Sequence, residues 1–389
     1  MEMVNRRLKL KIEIDMPSSV VCILQELEQK GYEAYIVGEC VRDSLLGICP
    51  ENWEICTSAP KEQLAGIFSQ GKMVPGDRRK APGSCRYQPC DRVDVAGDMT
   101  DLKRELEQRI FTIEAMAYGL GVGLIDPFDG RQDLADQRIR CIGKPEDVWK
   151  AEEILSCVRL AVRLGYGIDK DTLDSAVAHK DRLIKVPGPW VGDEIIKMFS
   201  GNISDLVYQI RCAQPIFMEV LPELKPMVGF KQNNPYHAYD VWRHTLEALS
   251  VANGDLIVRL VVLFHDIGKP HCYTEDEKGV GHFYGHGSVS ARITDEVLGR
   301  LQFDRTLRDR IVELVRYHDV DLHENRKSVR TWLKRMGEDQ FRRLLEVRRC
   351  DVTGQNPRYI AERVEKVERI RAILDEVLIR DRGFTIKDF

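Results

Sequence analysis

One stretch constrains this chain more than any other: IVRLVVLFHD, from Ile257 to Asp266. Its apolar run predicts a buried helix over about 255–266, turned immediately afterwards by Ile267-Gly268-Lys269. A histidine and an aspartate at the end of such a helix can both point into one interior pocket. Burying them without a partner is costly, so they need a metal or a hydrogen-bond network. Four more residues of metal-ligating type stand at long spacings in the same half: His244, His286, His318 and Asp351. A single histidine on an apolar face is more often structural, and the His-Asp dipeptide alone is a weak signal. The ordered set of His244, His265, Asp266, His286, His318 and Asp351 is what points to a metal. Mixed imidazole and carboxylate ligands suit manganese, nickel, cobalt, iron or zinc, with magnesium possible. Such a site activates a water for phosphoester hydrolysis, and Lys269 is placed to neutralise phosphate oxygens. Histidine ligates only when neutral, so the metal is expected to leave below about pH 5–6.

The chain has 389 residues, which sets a prior of two to three domains. Its 58 Lys+Arg against 62 Asp+Glu leave no overall polybasic character, although a local basic stripe remains possible. The longest apolar stretch, Leu260 to Phe264, falls far short of the ~20 residues that cross a bilayer, so no membrane partner is expected. The start, MEMVNRRLKLKIEID, has no apolar core and is not a secretory signal. The 11 cysteines are scattered, with no C-x-x-C pair, and read as reduced thiols of a cytoplasmic protein.

Two regimes follow along the sequence. Up to about 145, short apolar strands alternate with turns: a helix over 17–30 stopped by Gly31, strands at Tyr35–Val37, Trp53–Thr57 and Val93–Val95, and a turn at Asp126–Gly130. Residues 71–91, rich in Gly, Pro, Arg and Lys, predict a loop or mobile hairpin. From 146 the pattern is helical almost throughout, ending in a charged helix over about 357–380. The expected fold is therefore an α+β head and an all-α body. The expected divisions are a head at 1–145, a helical neck at 146–230, a metal-binding domain at 231–355 and a last helix at 356–389.

The order H…HD…H…H…D, with HDIGKP intact, resembles the HD phosphohydrolase superfamily over roughly 237–355. By motif, His244 matches the first ligand and His265-Asp266 the doublet. His286 in YGHG and His318 in VRYHD match the further histidines, and Asp351 in RRCDVTGQNP the closing aspartate. The resemblance implies one or two metals, bridged by Asp266 when there are two.

A second resemblance covers about 20–230. YIVGECVRDSLLG, ENWEICTSA, RIFTIEAMAYGLGVGLIDPFDG and VRLAVRLGY look like the tRNA nucleotidyltransferase and poly(A) polymerase family, and their order resembles bacterial CCA-adding enzymes that carry an HD domain. This implies a polymerase-β-like head with its site at Gly38, Arg42, Asp43, Asn52, Glu54, Asp94 and Arg109. Nucleotidyl transfer needs two metals held by carboxylates on neighbouring strands. A D-x-D supplies two of them, because i and i+2 share a strand face. Here those positions are Asn52 and Glu54, with Asp94 as the third carboxylate. The paired glycines of the family read Gly38-Glu39, and a carboxylate beside a triphosphate repels it unless a metal or Arg42 intervenes. The RRDFTINA signature reads QRIFTIEA from Gln108 to Ala115, and the base-reading D-x-x-R has Lys150 and Glu153. The apolar framework of Val37, Leu45, Leu46, Ile55, Phe111 and Leu160 is kept. Loss at the chemistry with retention of packing implies a degenerate head.

The chain ends at GFTIKDF, short of the helical tail with which such relatives grip tRNA. Candidate backbone-binding groups are Arg78, Arg79, Lys80 and Arg86; Arg326, Lys327, Arg330 and Lys334; and Arg342, Arg343, Arg348 and Arg349, each more often a solvated face. Three functions follow. The first is a metal-dependent phosphohydrolase acting on phosphomonoesters or cyclic phosphates of nucleotides or RNA 3′ ends, with tRNA a candidate partner and no DNA expected. The second is a working CTP/ATP-dependent tRNA nucleotidyltransferase using Glu54 and Asp94. The third is a non-catalytic RNA-binding protein.

Overall fold

The computed structural model describes residues 13–68, 71–75, 85–143 and 149–385. The chain forms two compact units, Met1–Glu153 with Tyr166–Ala176, and Ile154–Gly165 with Val177–Phe389.

The first unit is built on a seven-stranded sheet of order β3-β4-β5-β2-β1-β6-β7. Its strands are β1 (Ala34–Val37), β2 (Trp53–Thr57), β3 (Lys72–Pro75), β4 (Cys85–Cys90), β5 (Val93–Ala96), β6 (Ala117–Gly119) and β7 (Gly123–Ile125). The pair β2–β5 is parallel and the other neighbours are antiparallel. Trp53 and Ile55 on β2, and Val93 and Val95 on β5, are buried, while Glu54 and Asp94 between them are half-buried. Period-2 alternation thus puts both carboxylates on the same face, and the parallel register sets Glu54 opposite Asp94. Val37, Cys56, Met99, Leu106 and Ala117 share a packed core in this unit. Residues 71–75 and 85–91, expected as a loop or hairpin, contribute two paired strands at the sheet edge; Arg78, Arg79 and Lys80 lie outside the described residues.

The second unit is helical, apart from a two-stranded ribbon joining Thr274–Glu275 to Gly281–His282. That ribbon qualifies the all-α reading. Asp276 accepts from the backbone N–H groups of Lys278 and Val280 and closes the turn locally. The Leu256–Phe264 helix is buried along its length, each large apolar side chain contributing about 2 kcal/mol. Its charged member, Arg259, donates to the carbonyls of Ala252, Phe199 and Gly201 at 2.6–3.0 Å. Short acidic or amide side chains start four of the helices that build the site. Asp240 caps Val241–Ser250, Asp255 caps Leu256–Phe264, Asp304 caps Arg305–Tyr317 and Asn325 caps Arg326–Thr353. Each such cap is worth about 1 kcal/mol. The last of these helices breaks at Gly337, whose φ of 78° and ψ of 171° only glycine adopts readily. No helix among the described residues is long and apolar enough to cross a membrane.

Candidate functional site

All six residues of the H…HD…H…H…D set meet in the second unit. His244 comes from the Val241–Ser250 helix, and His265 and Asp266 follow directly on Leu256–Phe264. His286 opens the helix His286–Arg300, His318 follows Arg305–Tyr317, and Asp351 lies near the end of Arg326–Thr353. Five of the six are at most 6% exposed.

Each imidazole is oriented the same way. Nδ1 of His244 bonds the Gly354 carbonyl at 2.9 Å, His265 that of Val262 at 2.7 Å, His286 that of Phe283 at 2.8 Å and His318 that of Val315 at 2.8 Å. A carbonyl only accepts, so each Nδ1 carries a proton, and in the neutral ring Nε2 holds a lone pair. Those Nε2 atoms converge: His244 and His265 are 3.2 Å apart, and His286 and His318 are 3.1 Å apart. Two lone pairs at that distance repel unless a proton or a metal cation lies between them. Asp266 divides its oxygens between the pairs. Oδ2 is 3.4 Å from His244 and 3.2 Å from His265, while Oδ1 is 3.4 Å from His286 and 3.6 Å from His318. Asp351 Oδ1 stands 3.1 Å from His244. Two triplets able to hold a metal ion therefore share Asp266: His244, His265 and Asp266, and Asp266, His286 and His318. Their donor types and their Nδ1–carbonyl bonds fit a resident divalent metal.

Burial alone would raise Asp266, but His265, Lys269 and His244 hold it well below the usual carboxylate range. Asp351 is held low in the same way, chiefly by its hydrogen bond to His244. Burial opposes protonation of His244, yet Asp266 and Asp351 raise its pKa to about 9. This moves the proton–metal competition upward from the pH 5–6 expected from an unperturbed histidine. Lys269 is itself buried, with Nζ 2.7 Å from Asp266 Oδ2 and donating to Gln232 Oε1 at 2.9 Å. Its ammonium is thus engaged by protein groups, more than a bare phosphate-binding charge would be.

A cavity of about 460 Å³ opens on the cluster. Besides ligands and Lys269, its walls include His237, Tyr284, Arg316 and Arg363. Sequence reasoning missed Gln232, His237, Gln355 and Arg363. Gln355 lay inside the quoted stretch RRCDVTGQNP and His237 just ahead of the first ligand-type histidine, without a metal-type spacing to mark them.

The head brings its predicted residues into two ion-pair clusters. Arg109 forks onto Glu54 at 2.8 and 2.9 Å, and Arg86 Nη2 reaches Glu54 Oε1 at 2.6 Å. Asp94 lies opposite Glu54 and is raised by burial, with Arg86 pulling it down and Glu54 pushing it up. A Cβ on Gly38, whose φ is 81°, would come within 2.6 Å of Arg109 Nη1. Arg42 is fully buried, bonding Asp43 at 2.6 Å, Glu39 at 2.8 Å and Glu114 at 2.5 Å. Asn52 is exposed in the bend before β2, outside the strand. Lys150 is exposed just ahead of the helix Ala151–Leu164, and Glu153 is half-buried in its first turn. Arg86, read as an RNA-backbone candidate, is 15% exposed and turned onto Glu54. The Arg342–Arg349 group is also engaged by protein: Arg342 with Asp375, Arg343 with Asp255, Arg348 with the carbonyls of His318 and Val320, and Arg349 with Glu346.

Comparison with known proteins adds four findings. The family model described as HD domain matches residues 236–353. The multifunctional CCA protein of Nitrosococcus oceani is 28% identical over 337 residues, covering 80% of this chain and 80% of that protein. The A-adding tRNA nucleotidyltransferase of Deinococcus radiodurans is 28% identical over 322 residues, covering 78% and 73%. Among solved structures, the Thermotoga maritima CCA-adding enzyme complexed with tRNA superposes with a TM-score of 0.60. The overlap covers 96% of this chain and 88% of that one at 18% identity, a likeness of fold.

Proposed function

Because the chain belongs to the tRNA nucleotidyltransferase family and carries an HD domain, we propose that its body is a metal-dependent phosphohydrolase. Its substrates are phosphomonoesters or cyclic phosphates of nucleotides or RNA ends, with tRNA as a partner, and nucleotidyl transfer by the head is lost. The observation that carries this reading is the convergence of four Nε2 atoms on the two oxygens of Asp266. His244, His265, Asp266 and Asp351 would hold one ion, and Asp266, His286 and His318 a second. A divalent ion bound there supplies Lewis acidity and a water acidic enough to ionise near neutral pH. The backbone carbonyls of Gly354, Val262, Phe283 and Val315 keep the four rings in one tautomer. Lys269 pairs with Asp266, whose two oxygens would serve the two triplets, and adds positive charge at the cavity wall. Arg316 and Arg363 line the same cavity and can meet phosphate oxygens.

The second reading is an active CTP/ATP-dependent tRNA nucleotidyltransferase using Glu54 and Asp94. The names of the relatives favour it over the phosphohydrolase, since both sequence relatives are named for CCA or A addition or for tRNA nucleotidyl transfer. Against it stands the pairing of both Glu54 oxygens with Arg86 and Arg109. Incubating the protein with tRNA lacking its 3′ end, labelled CTP or ATP, and magnesium separates the two. Hydrolysis of a generic phosphoester with manganese or nickel tests the first directly.

A further inference from the structure

The stretch matched as an HD domain stops at 353, yet the hydrogen bonds around Asp351 continue beyond it. Gln355 is 7% exposed and donates from Nε2 to Asp351 Oδ1 at 3.2 Å. That is the same oxygen that faces His244. The other end of the amide, Gln355 Oε1, accepts from Arg363 Nη1 in the helix Pro357–Thr385. This fixes the orientation of the amide, because a guanidinium only donates and a carboxylate only accepts. Arg363 is placed in turn by Tyr236, with its guanidinium carbon 4.8 Å from the ring centroid. Tyr236 packs edge-on to Tyr359 at 5.0 Å, and its carbonyl accepts from Asn356 N at 2.9 Å. The start of the last helix is thereby tied to the segment just ahead of the first ligand helix.

We infer that Gln355 and Arg363 are positioning residues of the metal centre, acting as a relay in which Arg363 orients Gln355 and Gln355 fixes the ligating rotamer of Asp351. This rests on the reading of the six converging residues as metal ligands. A hydrogen bond to a ligating carboxylate holds it at the ion's distance without an entropic search, and such outer partners typically govern about 10- to 100-fold in metal affinity. Arg363 reaches Asp351 only through the amide, so its effect passes through Gln355.

The test is calorimetric titration of the full chain with manganese. Wild-type protein is expected to bind, and Gln355→Met, similar in length but unable to donate, to bind about 10- to 100-fold more weakly. Arg363→Met should also weaken binding, and the double variant should bind no more weakly than Gln355→Met alone, because the two residues act in series. Arg363→Lys should keep the melting temperature and still lose affinity, since a point charge does not reproduce the guanidinium's fixed donor geometry. Manganese affinity within twofold of wild type in Gln355→Met overturns the relay, and so do strictly additive effects. Should Gln355→Met not fold, unchanged affinity in Arg363→Met, at a half-buried position, overturns it equally. If wild-type protein binds no manganese, the metal reading beneath the relay is what fails.

Discussion

In the head, Glu54 and Asp94 stand across a parallel register; in the body, Asp266 and Asp351 both face His244. Both arrangements bring carboxylates together away from water, where like charges repel. The head answers with fixed cations: Arg86 and Arg109 saturate Glu54, while Arg42 collects Glu39, Asp43 and Glu114. The body provides one ammonium, Lys269, and surrounds the carboxylates with imidazoles whose Nε2 atoms converge. A guanidinium keeps its proton at any accessible pH, so a carboxylate forked by arginine keeps its counter-charge throughout. An imidazole can give its proton up. The first arrangement balances its carboxylates with fixed cations, and the second with groups that can exchange a proton for an ion.

The sharpest way to break this contrast is Asp266→Ala. Both ligand triplets contain Asp266, so manganese-dependent phosphoester hydrolysis should fall by about 10³-fold or more, corresponding to ~4 kcal/mol. The fold should survive, which circular dichroism checks, because the side chain packs little apolar surface. Retained activity in protein free of contaminating phosphatases would remove the phosphohydrolase reading. The next test lies in the head. On the proposed reading, CTP or ATP incorporation into tRNA lacking its 3′ end should be at least about 100-fold below a working relative, since Asn52 stands where the resemblance implies a carboxylate. Asn52→Asp alone should not restore it, since Arg86 and Arg109 still occupy Glu54. Transfer at a relative's rate would show that the arginine clamp opens in the working enzyme.

A third measurement concerns protons. His244, raised to about 9, must lose its proton to ligate, so manganese affinity should climb about tenfold per pH unit toward that value. Calorimetry in buffers of different ionisation enthalpy should show a proton released on binding at pH 7. The same shift sets a sign for ion-free stability. A raised histidine pKa stabilises fully below its unfolded value of 6.5, and that contribution is lost as pH rises through about 9. Asp266 and Asp351, held low, lose theirs only in acid. The melting temperature of metal-free protein should therefore fall between these two pH values, and manganese should offset the fall. The smallest effect is expected outside both clusters. Arg342→Ala breaks solvent-exposed pairs with Glu338 and Asp375, and should shift the melting temperature by about 2 °C at most.

The body's cluster was legible in the sequence because its ligands sit where few polar residues are tolerated. His265 and Asp266 end an apolar helix, and nothing but a shared partner justifies them there. The strands of the head were legible from period-2 alternation around Glu54 and Asp94. The arginine clamp was not. Arg86 lies in a Gly- and Pro-rich stretch that reads as a loop, and its partner is fixed by pairing of β4 with β5 and of β5 with β2. Glu39 and Glu114 each read as a departure from a motif. Only their common contact with Arg42, 72 positions from Glu114, shows that they neutralise the same charge. Gln355 and Arg363 escaped for a similar reason. An amide orienting a carboxylate leaves no periodic trace, and the arginine belongs to a helix that reads as an ordinary charged surface.

The bonds from Nδ1 carry a dynamic consequence. Val262 and Val315 lie in the last turns of their helices, where carbonyls lack intrahelical partners, and Gly354 directly follows the Asp351 helix. The rings of His265, His318 and His244 therefore act as stoppers on three helix ends at once. Any ion that pins the outer nitrogens also restrains fraying at those ends, about 40 to 90 residues apart in sequence. Occupancy of the centre is then readable without substrate, as slowed amide hydrogen exchange in the final turns of these helices.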